Sequence, residues 1–325
     1  MPGFQKILLV GATGTFGGLV AVALSKRRQL LSRLAVYHNT ARKTDEAKKL
    51  KIAKFEALGI EIVSANGYAS PEPFGGFDCV MIFSGNYGLQ EQPQIIDSAI
   101  AAGVRHFYPS EYGADLLAGD NWNQRYYRYK ALTRNHLEMK GKEYADLGWT
   151  YFLVGRLTEW AVISHFGIDN KHSTARIYGT ESGRQSLIGV QDAIAYLVET
   201  LNDSKSEHTA ESDQTDSKRR TYRISGSSPS YQEIFVAMER ITGRKYAVTY
   251  LDVESALIEE SDAKARGDID GELAASHKLV QGRQGTLLPE PWDNARFPSL
   301  HTESFEDSLR AAFNSPIWRK AYGLD

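Results

Sequence analysis

A chain of 325 residues, 42% apolar and 24% charged, is long enough to bury one large core or two modest ones and has the balance of a soluble globular protein. Its formal charge of -2 argues against nucleic acid or an anionic membrane as a partner, and no stretch reaches the ~20 apolar residues of a membrane span. The N-terminus has no signal-peptide pattern and the single cysteine, Cys79, cannot close an internal disulfide, so the expectation is a cytoplasmic protein. Either a monomer or a homodimer is expected.

Lys6 to Val10 reads as a buried strand, and Gly11, Gly14 and Gly17 follow at once before a helix that starts near Gly18. Strand, glycine loop and helix make up a dinucleotide-binding turn: one glycine bends the chain, one admits the pyrophosphate, and one packs helix on strand. The helix N-terminus then presents backbone N–H groups to phosphate. Thr13, Thr15 and Phe16 fill the loop and are expected to touch the cofactor with the three glycines.

The second strand, Leu34 to Tyr37, leads into His38-Asn39-Thr40-Ala41-Arg42-Lys43. No carboxylate stands where one would grip the adenosine 2′-hydroxyl of NAD; the first is Asp45. Arg42 and Lys43 instead stand where a 2′-phosphate would lie, which points to NADP(H), and His38 is expected to touch the cofactor. The bland alternative is that Arg42 and Lys43 open a charged surface helix.

Further strands follow at Glu61 to Ala65, Cys79 to Phe83, His106 to Tyr108 and Thr150 to Val154, with Gly59, Gly103 and Gly148 closing helices between them. Six strands alternating with helices predict an α/β fold with a doubly wound parallel sheet, an NAD(P)-binding Rossmann fold. Gly85-Asn86-Tyr87, after the fourth strand, should border the ligands at the switch point: Gly85 and Asn86 the cofactor, Tyr87 the substrate. Ser110 follows the fifth strand and is placed to polarise a substrate. The next helix carries Tyr126 and Lys130, four apart and therefore expected on one face, where an ammonium would favour the phenolate. Tyr126 is either a proton donor or part of an aromatic packing cluster with Trp122, Tyr127 and Tyr129. Leu157 and Trp160, after the sixth strand, are expected in an aromatic substrate pocket, with interdomain core as the alternative for Trp160.

Beyond residue 155 the rhythm changes. Leu187 to Thr200 reads as a strand end and helix. Asn202 to Arg220 is almost wholly polar and reads as an exposed, mobile insertion. Ser230-Tyr-Gln-Glu233 is a capping box for a helix ending at Gly243, followed by a strand, Tyr246 to Tyr250, and helices near Val253 to Ala265 and Glu303 to Phe313. The expected division is a dinucleotide domain, 1–155 with 187–225, and a smaller α+β substrate domain, 156–186 with 226–325. The eight histidines show no metal-ligand spacing, and no metal is expected.

The glycine loop, the turn Pro109-Ser-Glu-Tyr-Gly-Ala-Asp115 and Lys130-Ala-Leu-Thr-Arg134 resemble the isoflavone reductase-like, NmrA-like branch of the atypical short-chain dehydrogenases. The resemblance is good over residues 5–160 and loose beyond. It implies NADPH-dependent reduction of a small aromatic secondary metabolite, with Lys130 as the catalytic lysine in contact with nicotinamide ribose or substrate. Isoflavone-type reductases do not generally carry a tyrosine four residues before that lysine, so Tyr126 is a departure. The branch also contains NADP-binding regulators without turnover, which makes a non-catalytic redox sensor the rival expectation.

Overall fold

The computed structural model describes residues 3–203 and 218–324, so most of the polar insertion lies outside the described residues. The chain divides into two compact units. Unit 1 comprises Met1–Glu111, Tyr129–Phe152 and Ile194–Tyr222; unit 2 comprises Tyr112–Arg128, Leu153–Ala193 and Arg223–Asp325. Residues 112–128, 153–155, 187–193 and 223–225, expected with the dinucleotide domain, group with unit 2.

Unit 1 is built on β1 (Lys6–Val10), β2 (Arg33–Asn39), β3 (Glu61–Ala65), β4 (Cys79–Ile82), β5 (His106–Tyr108) and β6 (Gly148–Leu153). These pair in parallel in the order β6-β5-β4-β1-β2-β3, with Val10 opposite Ile82 on one side and Tyr37 on the other. The central strands β1 and β4 are buried over Ile7–Val10 and Cys79–Ile82, as parallel strands covered on both faces require. The order reverses between β1 and β4, and such a switch point opens a crevice at the carboxyl ends of the strands. The crossover helices are α1 (Thr15–Ser25), α2 (Glu46–Ala57), α3 (Gln92–Ala101) and α4 (Arg128–Glu143).

Unit 2 contains β7 (Arg156–Leu157), α5 (Thr158–Ala161), β8 (Ile168–Asp169), β9 (Thr174–Tyr178) and β10 (Leu187–Ile188). The helix α6 (Val190–Thr200) follows, and β11 (Arg219–Arg223) adds a seventh strand beside β6. The chain then runs through α7 (Tyr231–Thr242), β12 (Ala247–Leu251), α8 (Val253–Ala265), α9 (Ile269–Gly282), α10 (Phe305–Asn314) and α11 (Pro316–Ala321). β7 pairs with β10, and β12 and β8 flank β9. Ile177, Ile234, Met238, Leu309 and Phe313 share the core of this unit.

The capping box at Ser230 and Glu233 forms, and its helix ends on Gly243 in the left-handed conformation. One expectation fails at the end of the insertion. Arg219 and Arg220 belong to β11, and Arg220 is buried, donating to Thr150 Oγ1 at 3.0 Å and to the Tyr108 hydroxyl at 3.2 Å. A polar stretch reads as exposed unless buried partners are known, and these lie 70 and 112 residues away in sequence. Among the described residues, no helix is long and apolar enough to cross a membrane.

Candidate active site

The glycine loop closes against β4. Gly11 has φ +84, and a Cβ there would lie 2.5 Å from the Phe83 carbonyl oxygen, so glycine is required on both counts. Gly17 sits where a Cβ would press on the Phe83 side chain at 2.9 Å and on Ala12 Cα at 3.0 Å. Gly14 is the N-cap of α1 and caps it with no side chain. Thr13 and Phe16 are half-buried and Thr15 is exposed at this helix start; the Phe16 ring meets Phe83 edge-on at 5.9 Å.

The end of β2 is held by short polar bonds. Asn39 Oδ1 accepts from the backbone N–H groups of Ala41 and Gly67, each at 3.0 Å. His38 lies between Thr44 Oγ1 at 3.0 Å and Ser64 Oγ at 3.4 Å. Arg42, expected at a phosphate, forms an ion pair with Glu91 on the turn after β4. Lys43 is exposed, and its carbonyl accepts from Lys48 Nζ at 2.8 Å. Lys51, which the sequence reading passed over as part of a charged helix, reaches back from α2 to donate to the Thr13 carbonyl at 2.7 Å.

Past β4, Gly85 caps a short 3-10 turn containing Asn86 and Tyr87. Asn86 is half-buried and Tyr87 is 72% exposed. Ser110 is buried at the end of β5, where its hydroxyl donates to the Ser84 carbonyl at 2.8 Å and its N–H donates to Gln92 Oε1 at 2.7 Å. Its proton thus ties β5 to β4, which runs against the expectation of a hydroxyl free to polarise substrate. Gln92 Nε2 in turn donates to Thr133 Oγ1 at 3.3 Å on α4, the helix of Lys130.

Lys130 is half-buried in the first turn of α4. One turn on, Arg134 forms a buried two-point ion pair with Glu111, Nε to Oε1 at 3.0 Å and Nη2 to Oε2 at 2.9 Å, and its guanidinium lies 4.3 Å above the Tyr151 ring. Burial lowers the Lys130 pKa below the ordinary lysine value; Glu111 opposes that shift and Arg134 adds to it. An ammonium in this setting parts with its proton more readily than a solvated one. Glu111 and Arg134 were visible in the motif but were not singled out, because only the fold shows that they pair with each other.

Tyr126 is not on that helix. α4 begins at Arg128, while Arg125–Tyr127 forms a 3-10 turn preceded by extended backbone at Gln124. A 3-10 turn winds more tightly than an α-helix, so four-residue spacing across the junction does not give one face. Tyr126 belongs to unit 2, where its ring stacks on His277 at 4.3 Å and 28° and its N–H donates to Ser276 Oγ at 3.0 Å. Leu157 and Trp160 also belong to unit 2. Leu157 pairs in register with Ile188, and Trp160 meets Trp318 edge-on at 4.4 Å. The structure therefore gathers the glycine loop, Arg42, Gly85, Asn86, Ser110 and Lys130 in unit 1 and leaves Tyr126, Leu157 and Trp160 to unit 2.

The sequence model of the NmrA-like family matches residues 4–271. The chain belongs to the NmrA-like family. This NmrA-like protein is 24% identical over 258 residues to the oxidoreductase aprR of Aspergillus flavus, covering 77% of the chain and 78% of that protein. It is 23% identical over 267 residues to the isoflavone reductase of Pisum sativum, covering 78% and 80%. In structure it is similar to the binary complex of leucoanthocyanidin reductase with NADPH from Vitis vinifera, at a TM-score of 0.73 with 16% identity, covering 98% of this chain and all (100%) of that one. That likeness establishes the Rossmann-type fold.

Proposed function

We propose that this NmrA-like protein is an NADPH-dependent reductase of a small aromatic metabolite, with Lys130 as its catalytic residue. The observation that carries the reading is the half-buried Lys130, its pKa depressed by burial and felt by both charges of the Glu111–Arg134 pair, in the unit that bears the glycine loop. The relatives' names support it, since aprR is called an oxidoreductase and the others reductases.

The residues present fit a dinucleotide. Gly11 and Gly17 keep the loop tight against Phe83, and Gly14 leaves the start of α1 without a side chain in front of its N–H groups. Thr13, Thr15, Phe16, His38, Gly85 and Asn86 stand at or just past the carboxyl ends of β1, β2 and β4 and are assigned to the cofactor with them. Arg42 is the phosphate-binding cation, with Lys43 adding charge. Its exposed ion pair with Glu91 is worth at most about 1 kcal/mol, so a 2′-phosphate can displace the carboxylate. NADPH, when bound, supplies a hydride.

Lys130 holds the proton at Nζ and delivers it to the oxygen or carbon that becomes electron-rich, or stabilises that charge as the ammonium. Glu111 and Arg134 position the helix turn that carries Lys130, and Gln92 fixes Ser110 beside it. Tyr87, exposed on the turn after β4, is assigned to the substrate side. Tyr126, stacked on His277, is a packing ring of unit 2 in this scheme and not a proton donor.

Calorimetric titration with NADPH, NADH, NADP+ and NAD+ tests the reading. Tight NADPH binding that weakens at least about tenfold in Arg42→Ala, with NADH binding unchanged, is the expected result. Equal affinity for both oxidised cofactors with little for the reduced forms would overturn it in favour of a redox-sensing regulator.

A further inference from the structure

Unit 2 contains a buried cation with no counter-charge among the described residues. Gly155, at φ +66, passes so close to Ser186 and Thr286 that a Cβ would lie 2.6 Å from the Ser186 carbonyl oxygen and 2.7 Å from that of Thr286. That approach lets Arg156 N–H donate to the Ser186 carbonyl at 3.0 Å and seats Arg156 on β7 opposite Leu187 of β10. The side chain then turns into the unit. Arg156 is only 6% exposed, and both terminal nitrogens, Nη1 and Nη2, are buried with no hydrogen-bond partner among the described residues.

What surrounds the guanidinium is mostly aromatic. It lies 4.1 Å above the Phe166 ring, and Phe166 meets His277 edge-on at 4.7 Å. The Tyr231 phenol is within hydrogen-bonding influence of both Arg156 and Gln281, which oppose the rise that burial gives its pKa, while neither terminal nitrogen of Arg156 reaches a partner at full hydrogen-bond geometry. Gln185, two residues before Leu187, is 2% exposed, and both ends of its amide also lack a partner. His277 stacks on exposed His165 at 5.0 Å, so the ring cluster runs from the interior to the surface. Burial, with Arg156 adding to it, keeps His277 neutral well below the ordinary imidazole value. The guanidinium is thus a fixed positive charge among rings.

A buried charge without a counter-ion is costly, and the fork of two N–H-bearing nitrogens matches a carboxylate in two-point geometry. We propose that Arg156, with the Gln185 amide, binds the carboxylate of an aromatic acid whose ring packs among Phe166, Tyr231 and His277. This goes beyond the reductase reading and stands on unit 2 alone. It names the ligand class of this unit: an aryl carboxylate, not a neutral phenol or ether.

The test uses the full-length protein, trans-cinnamate and benzoate as probes, and their uncharged amides as controls, by calorimetry and thermal melting with and without NADP+. The expected result is that at least one acid binds about tenfold or more tightly than its amide and raises Tm. Arg156→Met removes that preference, leaves NADPH affinity unchanged, and melts no lower than wild type without ligand, because it deletes a buried charge without a counter-ion. Arg156→Lys, which keeps the charge but not the fork, retains only part of the preference and carries the test if the methionine variant does not fold. Equal binding of acids and amides, no binding of either acid, or a preference that survives both substitutions overturns the proposal. NADPH affinity, measured on the same samples, reports separately on the reductase reading.

Discussion

Replacing Glu159 by glutamine should make stability at alkaline pH higher, not lower. Glu159 is 6% exposed on α5, and its two carboxylate oxygens share the Val190 N–H at the start of α6, each at 3.0 Å. Burial pushes its pKa from 4.5 up to about 7; the bond from Val190 opposes this, while Asp192 and Glu303 add repulsion. A carboxyl whose folded-state pKa lies above its unfolded value binds more protons when folded, so stability falls as pH rises from about 4.5 through about 7. At 1.36 kcal/mol per pKa unit the full penalty is on the order of 3 kcal/mol, complete only above pH 7. Glutamine keeps an acceptor for Val190 and cannot ionise. With an unfolding entropy of roughly 2.1 cal/mol/K per residue, that energy is roughly 5 °C of Tm for a chain of this length. Melting curves of wild type and Glu159→Gln between pH 5 and 8.5 are the assay. The variant's relative Tm should climb with pH and level off near pH 8. A difference that stays flat over the whole range would refute the argument.

Three further outcomes follow from the geometry. Gly17→Val should weaken NADPH binding and cost about 1–3 kcal/mol of stability by urea unfolding, since a Cβ already lies 2.9 Å from the Phe83 side chain. Glu111→Gln should destabilise by about 3–5 kcal/mol, because it strands the buried Arg134 charge, and should lower the Lys130 pKa further, moving the alkaline limb of the pH–rate profile toward neutrality. Cys79, fully buried with its thiol pKa raised by that burial, should resist a thiol reagent in the native protein and react only on unfolding; fast native-state labelling would contradict its burial.

The dinucleotide half of the fold was legible because each of its signals is local. Strand β1 is a continuous apolar run, its glycines are required by backbone angle and close approach within one loop, and β3 and β5 fall on the residues where alternation placed them. The capping box at Ser230 is local in the same sense, since both of its bonds span three residues. What the sequence could not decide depended on distant partners. Whether Tyr126 joins Lys130 turned on where α4 starts, and a 3-10 turn there sends the ring to His277, 151 positions on in the chain. Arg220 looks like surface until Tyr108 and Thr150 are placed around it. Short strands such as β7 and β10, two residues each, carry no periodicity to read, yet they set Arg156 inside unit 2 without a counter-ion among the described residues. Backbone conformation is dictated by neighbours in sequence, so it can be read there. Burial and charge pairing are dictated by neighbours in space, and for Glu111, Arg134, Glu159 and Arg156 only the tertiary structure supplied them.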